Sequence, residues 1–153
     1  MCHIRIRECR AKHREKPWTF ECDVAYPCAT ENELNGEDAT RLVTNGCQMV
    51  TEGANMPCTE DAIDMFSNEG IQFIPSKLAN AGGVIVSCLE MSQNANLRYM
   101  TETQVDRILM ARMQTMFDNV TKVSNTYDCS FKDSVNIAAF LPLAESLKRQ
   151  GFI

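Results

Sequence analysis

The spacing of apolar residues changes character along this chain. From Trp18 to Ile74, short apolar runs alternate with amphipathic stretches. "CDVAY" (22–26) reads as a strand and leads into the polar segment "PCATENELNG". "EDATRLVTNG" (37–46) then carries a helical period that stops at Asn45-Gly46, a pair suited to the left-handed cap of a helix end. "CQMVT" (47–51) reads as a second strand. "EGANMPC" (52–58) leads to Thr59, an expected N-cap, with Glu60 and Asp61 in the first turn, where carboxylates complement the helix dipole. That helix ends at Gly70, and "IQFI" (71–74) reads as a third strand.

Two successive strand–helix–strand units of this length imply parallel strands joined by right-handed crossovers, hence an α/β sheet. "PCATENE", "EGANMP" and "PSKLANAGG" then follow the carboxyl ends of their strands along one sheet edge, where open α/β sheets bind ligands. Small residues in these segments allow close approach. Asn55 and Asn80 can each donate and accept hydrogen bonds, which suits a neutral carboxamide or a ribose better than a bare phosphate. The competing reading is that Gly and Asn serve only to turn the chain.

"LANAGGVIVSCLEMSQN" (78–94) reads as an apolar helix interrupted by amides, a hydroxyl and paired glycines. Asn80, Val84, Ser87, Met91 and Asn94 recur at spacings of three and four, so they share one face. A stripe of such mixed polarity is not ordinary core. Gly82 and Gly83 clear side chains from the helix start, whose dipole favours an anion, so a carboxylate near Ser87 fits. Alternatively, Ser87 is buried and bonds to the preceding turn, with the glycines serving helix packing. Further on, Thr101 and Gln104 form a capping-box pattern. Behind it, Val105, Ile108, Leu109, Met113, Met116, Phe117 and Val120 make an apolar stripe.

Composition narrows the function. The chain has 153 residues, 44% of them hydrophobic, enough for one domain with a core. Its formal net charge is −5, and residues 1–16, a basic leader with six Lys or Arg against two Glu, carry +4 of it. The remaining residues therefore carry −9, which argues against a nucleic-acid binder. No apolar run is long enough to span a bilayer, so the expected address is the cytoplasm. A mitochondrial presequence is the alternative suggested by the arginines, opposed by Glu8, Glu15 and the lack of serine. The eight cysteines form no CxxC pair and read as free thiols. A metal site from Cys2, Cys9, His13 and Cys22 matches no standard zinc spacing, so no metal is expected.

"CDVAYPCATENEL", "EGANMP", "KLANAGGV" and "SCLEMSQN", in this order and separation, resemble the C-terminal part of the hexameric glutamate dehydrogenases, the small microbial type usually linked to NADP, within the Glu/Leu/Phe/Val dehydrogenase superfamily. The resemblance covers residues 17–153, about the last third of a family member. It implies the second half of a Rossmann-like dinucleotide-binding domain with parallel strands, followed by C-terminal helices. It also implies hydride transfer between NADP or NAD and L-glutamate, giving 2-oxoglutarate and ammonia, in a homo-oligomer. By motif position, Ala29, Thr30 and Asn55 would line the nicotinamide ribose and Asn80 the nicotinamide end. Val84 and Ser87 would border the substrate's side-chain carboxylate.

The family's glycine-rich phosphate fingerprint does not occur here, nor do its lysine-containing substrate motif and its acidic proton-transfer residue. The resemblance therefore names no catalytic residue, and it implies an inactive isolated chain with weak cofactor binding. Inside the matched region Ser76 and Leu78 depart from the expected Gly and Ala. Ser76 is expected to strain a glycine turn and Leu78 to add bulk near the cleft. Pro142 is expected to kink or restart the last helix. A non-catalytic assembly module, or an inactive remnant docking on full-length subunits, is the alternative function.

Overall fold

The three apolar runs form three short parallel strands, β1 (Val24–Ala25), β2 (Met49–Thr51) and β3 (Gln72–Ile74), in the order β1-β2-β3. The computed structural model describes residues 16–152, and the chain divides into two units between Ala79 and Asn80. In the first unit the strand register sets Ala25 beside Val50 and Val50 beside Phe73, and all three are buried. Alternation along each strand sends this row to one face. The core there is completed by Ala39 and Leu42 of α1 (Gly36–Thr44), Ala62 and Phe66 of α2 (Glu60–Asn68), and Trp18 from a 3₁₀ turn at Pro17–Thr19. The rings of Phe66 and Phe73 stack at 6.2 Å.

Both helices begin and end for identifiable reasons. Asn35 caps α1 in a capping box: its side chain accepts the Asp38 N–H at 3.1 Å, and the Asp38 carboxylate accepts the Asn35 N–H at 3.4 Å. Asp38 is buried and also takes the ammonium of Lys16 and the guanidinium of Arg41. Asn45 closes α1 and Gly46 adopts φ +79°, as the sequence predicts. Thr59 is the N-cap of α2 without a side-chain cap bond, and its hydroxyl instead donates to the Leu34 carbonyl at 3.4 Å. Asp61, one turn into α2, accepts the Gly36 N–H at 3.0 Å. Hydrogen bonding from Thr59, together with that from Gly36, holds the Asp61 carboxyl below its ordinary value.

After β3, a single turn, α3 (Ser76–Ala79), ends the first unit. Two expectations are corrected here. Ser76 is not among the residues with positive φ, so no glycine-like strain exists at that position, and Leu78 is buried rather than crowding an open cleft.

The second unit consists of α4 (Ala81–Asn96), α5 (Glu102–Tyr127) and α6 (Phe131–Arg149). The Thr101–Gln104 capping box opens α5 as predicted. Its stripe is only partly covered: Val120 is buried, Val105, Ile108, Leu109, Met113 and Met116 are half-buried, and Phe117 is exposed beside Phe131 of α6 at 5.7 Å. Ser130 caps α6, and the buried Ser134 hydroxyl donates to the Ser130 carbonyl at 2.7 Å. Pro142 lies inside α6, which continues to Arg149, so the proline does not restart the helix. Its missing N–H leaves one carbonyl a turn earlier without its helical donor. Among the described residues no helix is long and apolar enough to cross a membrane, and no three His, Cys, Asp or Glu group as metal ligands. Cys2, Cys9, His13 and all the leader except Lys16 lie outside the described residues.

Candidate functional site

Because the strands are parallel, the segments after β1, β2 and β3 all leave the same edge of the sheet, as the sequence predicts. The first two are joined by backbone hydrogen bonds that extend the β1–β2 pairing outward. The N–H groups of Gly53 and Ala54 both donate to the Pro27 carbonyl, at 2.9 and 3.1 Å. The Asn32 N–H donates to Met56, the Leu34 N–H to Pro57, and the Thr59 N–H back to Leu34, each at 3.0 Å. Gly53 permits this approach, since a Cβ there would stand 2.4 Å from the Cys28 sulfur. At the rim, the Ala29 N–H donates to Glu33 Oε1 at 2.8 Å, folding the first loop back on itself.

Ala29, Thr30 and Asn55, the residues singled out for the nicotinamide ribose, are all exposed on these two joined loops. Next to Asn55, Met56 has φ +49°, and its hydrogen-bond partner Asn32 has φ +55°. Asparagine tolerates the left-handed region well; an unbranched methionine is there at a cost of about 1 kcal/mol and needs its surroundings to hold it. Such strain clusters where backbone geometry serves a site.

In the second unit, Asn80 is the N-cap residue of α4 at φ −101°, its carbonyl accepting the Gly83 N–H at 3.3 Å. The expected helix thus breaks at Asn80, between α3 and α4. Val84, Ser87, Met91 and Asn94 are all exposed on one face of α4, with Val84 67% and Met91 63% accessible. Ile85 and Leu89, on the other side, are half-buried. The alternative of a buried Ser87 is therefore wrong. Helix packing does not demand the glycines either: a Cβ at Gly82 would make ordinary contact with Leu109, and one at Gly83 would meet nothing within 4 Å.

Two features were missed in the sequence. Glu52, read only as part of the "EGANMP" loop, is buried, and its carboxylate accepts the Ser76 N–H at 2.8 Å and the Cys58 N–H at 3.4 Å. Burial, and then the Glu52 carboxylate beside it, push the Cys58 thiol up. The Asn35–Asp38 capping box was also missed, though its three-residue spacing is the usual one.

A parallel three-stranded sheet joined by helices, with its loops along the carboxyl edge, is an α/β arrangement consistent with part of a Rossmann-like fold. The family model described as Glutamate/Leucine/Phenylalanine/Valine dehydrogenase matches residues 5–151. The chain belongs to that family, and the match begins inside the basic leader. The chain is 43% identical over 142 residues to the NADP-specific glutamate dehydrogenase of Chlorella sorokiniana, covering 92% of this chain and 27% of that one. It is 40% identical over 141 residues to the NAD-specific glutamate dehydrogenase of Bacteroides fragilis, covering 91% and 32%. The crystal structure of Plasmodium falciparum glutamate dehydrogenase superposes with a TM-score of 0.85 at 44% identity, over 90% of this chain and 30% of that one. The chain thus spans about a third of the length of the curated relatives it matches.

Proposed function

We propose that this chain is the C-terminal portion of a glutamate dehydrogenase, an NADP- or NAD-linked oxidoreductase interconverting L-glutamate with 2-oxoglutarate and ammonia. The observation that carries this reading is the pair of joined loops at the sheet's carboxyl edge, which presents Asn55 and the small residues Ala29 and Thr30 together at the surface. These side chains fit the nicotinamide ribose: a carboxamide that donates and accepts, flanked by residues too small to obstruct a sugar. The bound nicotinamide would supply the hydride acceptor. Asn80 contributes at the nicotinamide end, and Val84 and Ser87 on the exposed face of α4 border the substrate's side-chain carboxylate. Residues 1–16 form a basic leader without an assigned role, residues 17–153 the partial dinucleotide-binding domain, and the intact enzyme is an assembly of like subunits.

Hydride transfer requires both reactants held in register, and these residues supply contacts to one side of each. The 153-residue chain is therefore expected to show no glutamate oxidation with NAD or NADP, and to bind NADPH no tighter than about millimolar, lacking the phosphate-binding fingerprint. Activity assays and calorimetric titration check this. Turnover free of full-length enzyme, or micromolar affinity abolished by Asn55→Ala, would show a competent half-site and overturn the expectation.

A second reading, an assembly module that docks on full-length subunits, is favoured by Val84 and Met91, two large apolar side chains exposed on one mixed face of α4. Co-purification with a full-length relative, lost in Val84→Lys, would support it.

A further inference from the structure

We propose that Glu52 is a positioning residue that closes the Asn55 loop and ties it to the start of α3, an inference that rests on reading this loop as a dinucleotide contact. Glu52 follows β2 directly, and its own N–H continues the strand ladder by donating to the Ile74 carbonyl at 3.0 Å. Its side chain then reaches two further backbone donors. Oε1 accepts from Cys58, six residues ahead at the far end of the loop, and Oε2 accepts from Ser76, the first residue of α3. One carboxylate therefore closes residues 53–57 into a ring and binds that ring to the segment leaving β3.

Packing alone does not account for a glutamate at this position. Glu52 is 3% exposed, and among the described residues no Lys, Arg or His pairs with it. A buried acid so placed is tolerated only where donors satisfy it, and an apolar residue of the same size would fill the space without that requirement. Here both oxygens are used on backbone N–H groups, the stronger kind of hydrogen bond because the acceptor can carry charge. What lies inside the ring explains the need: Met56 sits in the left-handed region next to Asn55, a conformation that persists only when its neighbours determine it. The first loop holds one side of this turn through the Asn32 N–H, and Glu52 holds its two ends.

Glu52→Gln separates positioning from volume. Glutamine fills the same space but offers one oxygen, so one of the two N–H groups would face an NH₂. In the full 153-residue chain, amide hydrogen exchange at Ser76 or Cys58 should accelerate about tenfold in this variant, the loss expected for one hydrogen bond. Exchange in α5 should be unchanged. Added NADPH at millimolar concentration should shift the Asn55 amide resonance in the wild type and at least halve that shift in Glu52→Gln. Glu52→Ala should lose both protections; if it fails to fold, the glutamine variant decides alone. Wild-type exchange at Ser76 and Cys58 in Glu52→Gln would overturn the proposal. Altered exchange with no NADPH-induced shift even in the wild type would leave Glu52 as a loop clamp but overturn its role toward the cofactor and the reading of the loop itself.

Discussion

Between Trp18 and Ala79 the larger apolar side chains mostly face inward, with Leu34, Leu42, Val50 and Phe66 wholly shielded from solvent. Between Asn80 and Phe152 three long helices leave only Val120, Val123 and Val135 as buried apolar residues, while Met110, Phe140 and Leu143 join Val84 and Met91 at the surface. The two stretches have comparable lengths and comparable supplies of apolar residues. The difference lies in the sheet. In the first unit three strands and two helices enclose one set of side chains, each fully buried one contributing about 1.5–3 kcal/mol. In the second, three helices leave more of their large apolar residues exposed. Exposed apolar patches of this kind are common at interaction surfaces.

Truncation at equivalent aromatic positions is the strongest test of this contrast. Phe66→Ala removes a buried ring stacked on Phe73 and should cost about 3–5 kcal/mol. Phe117→Ala removes a ring that is 45% exposed and should cost well under half as much, about 1 kcal/mol. The sole tryptophan, Trp18, is buried in the first core, so urea unfolding followed by its fluorescence reports the first unit, while helical circular dichroism is weighted toward the second. Equal costs for the two substitutions would break the contrast.

Exposed apolar surface should also show in association. Val84→Lys with Met91→Lys places two charges on the open face of α4 and should raise the concentration at which the chain self-associates by roughly 30-fold, since each of the two lost apolar contacts is worth about 1 kcal/mol. Thr40→Lys, on the exposed side of α1, is the control and should change nothing. Size-exclusion chromatography with light scattering reads both. A wild-type chain that stays monomeric at high concentration would mean that the face is tolerated in water.

Local signals in the sequence carried the elements well. Strand, cap and turn positions depend on neighbours within a few residues, which is why Asn45-Gly46, Thr59 and the Thr101–Gln104 box lie where the pattern places them. The loops bearing Ala29, Thr30 and Asn55 were legible for the same reason: parallel connectivity alone puts them on one edge. Tertiary partners were not legible. Leu78 turns inward, Ser76 needs no left-handed backbone, and Glu52 is buried on backbone donors from the far end of its own loop and from the start of α3. Pro142 illustrates the reverse error: a local rule allowed the helix to restart there, and α6 runs through it to Arg149.

Thiol chemistry distinguishes the two regions most finely. Cys58 is buried in the first core and Cys88 is exposed on α4. Burial and the neighbouring Glu52 raise the Cys58 thiol above its ordinary value of 9.0, so the folded chain keeps a proton that the unfolded chain releases in alkali. The folded thiol's pKa is the raised one, so its contribution to stability is complete below pH 9.0 and declines as pH rises beyond it. Near pH 8 a maleimide should modify Cys88 at once and Cys58 only on unfolding. Between about pH 8 and pH 10 the urea midpoint read by Trp18 should fall further in the wild type than in Cys58→Ala, which has no thiol to ionise in the unfolded state. Equal alkaline losses in the two proteins, or labelling of Cys58 as fast as Cys88, would show that the first core opens as readily as the face of α4.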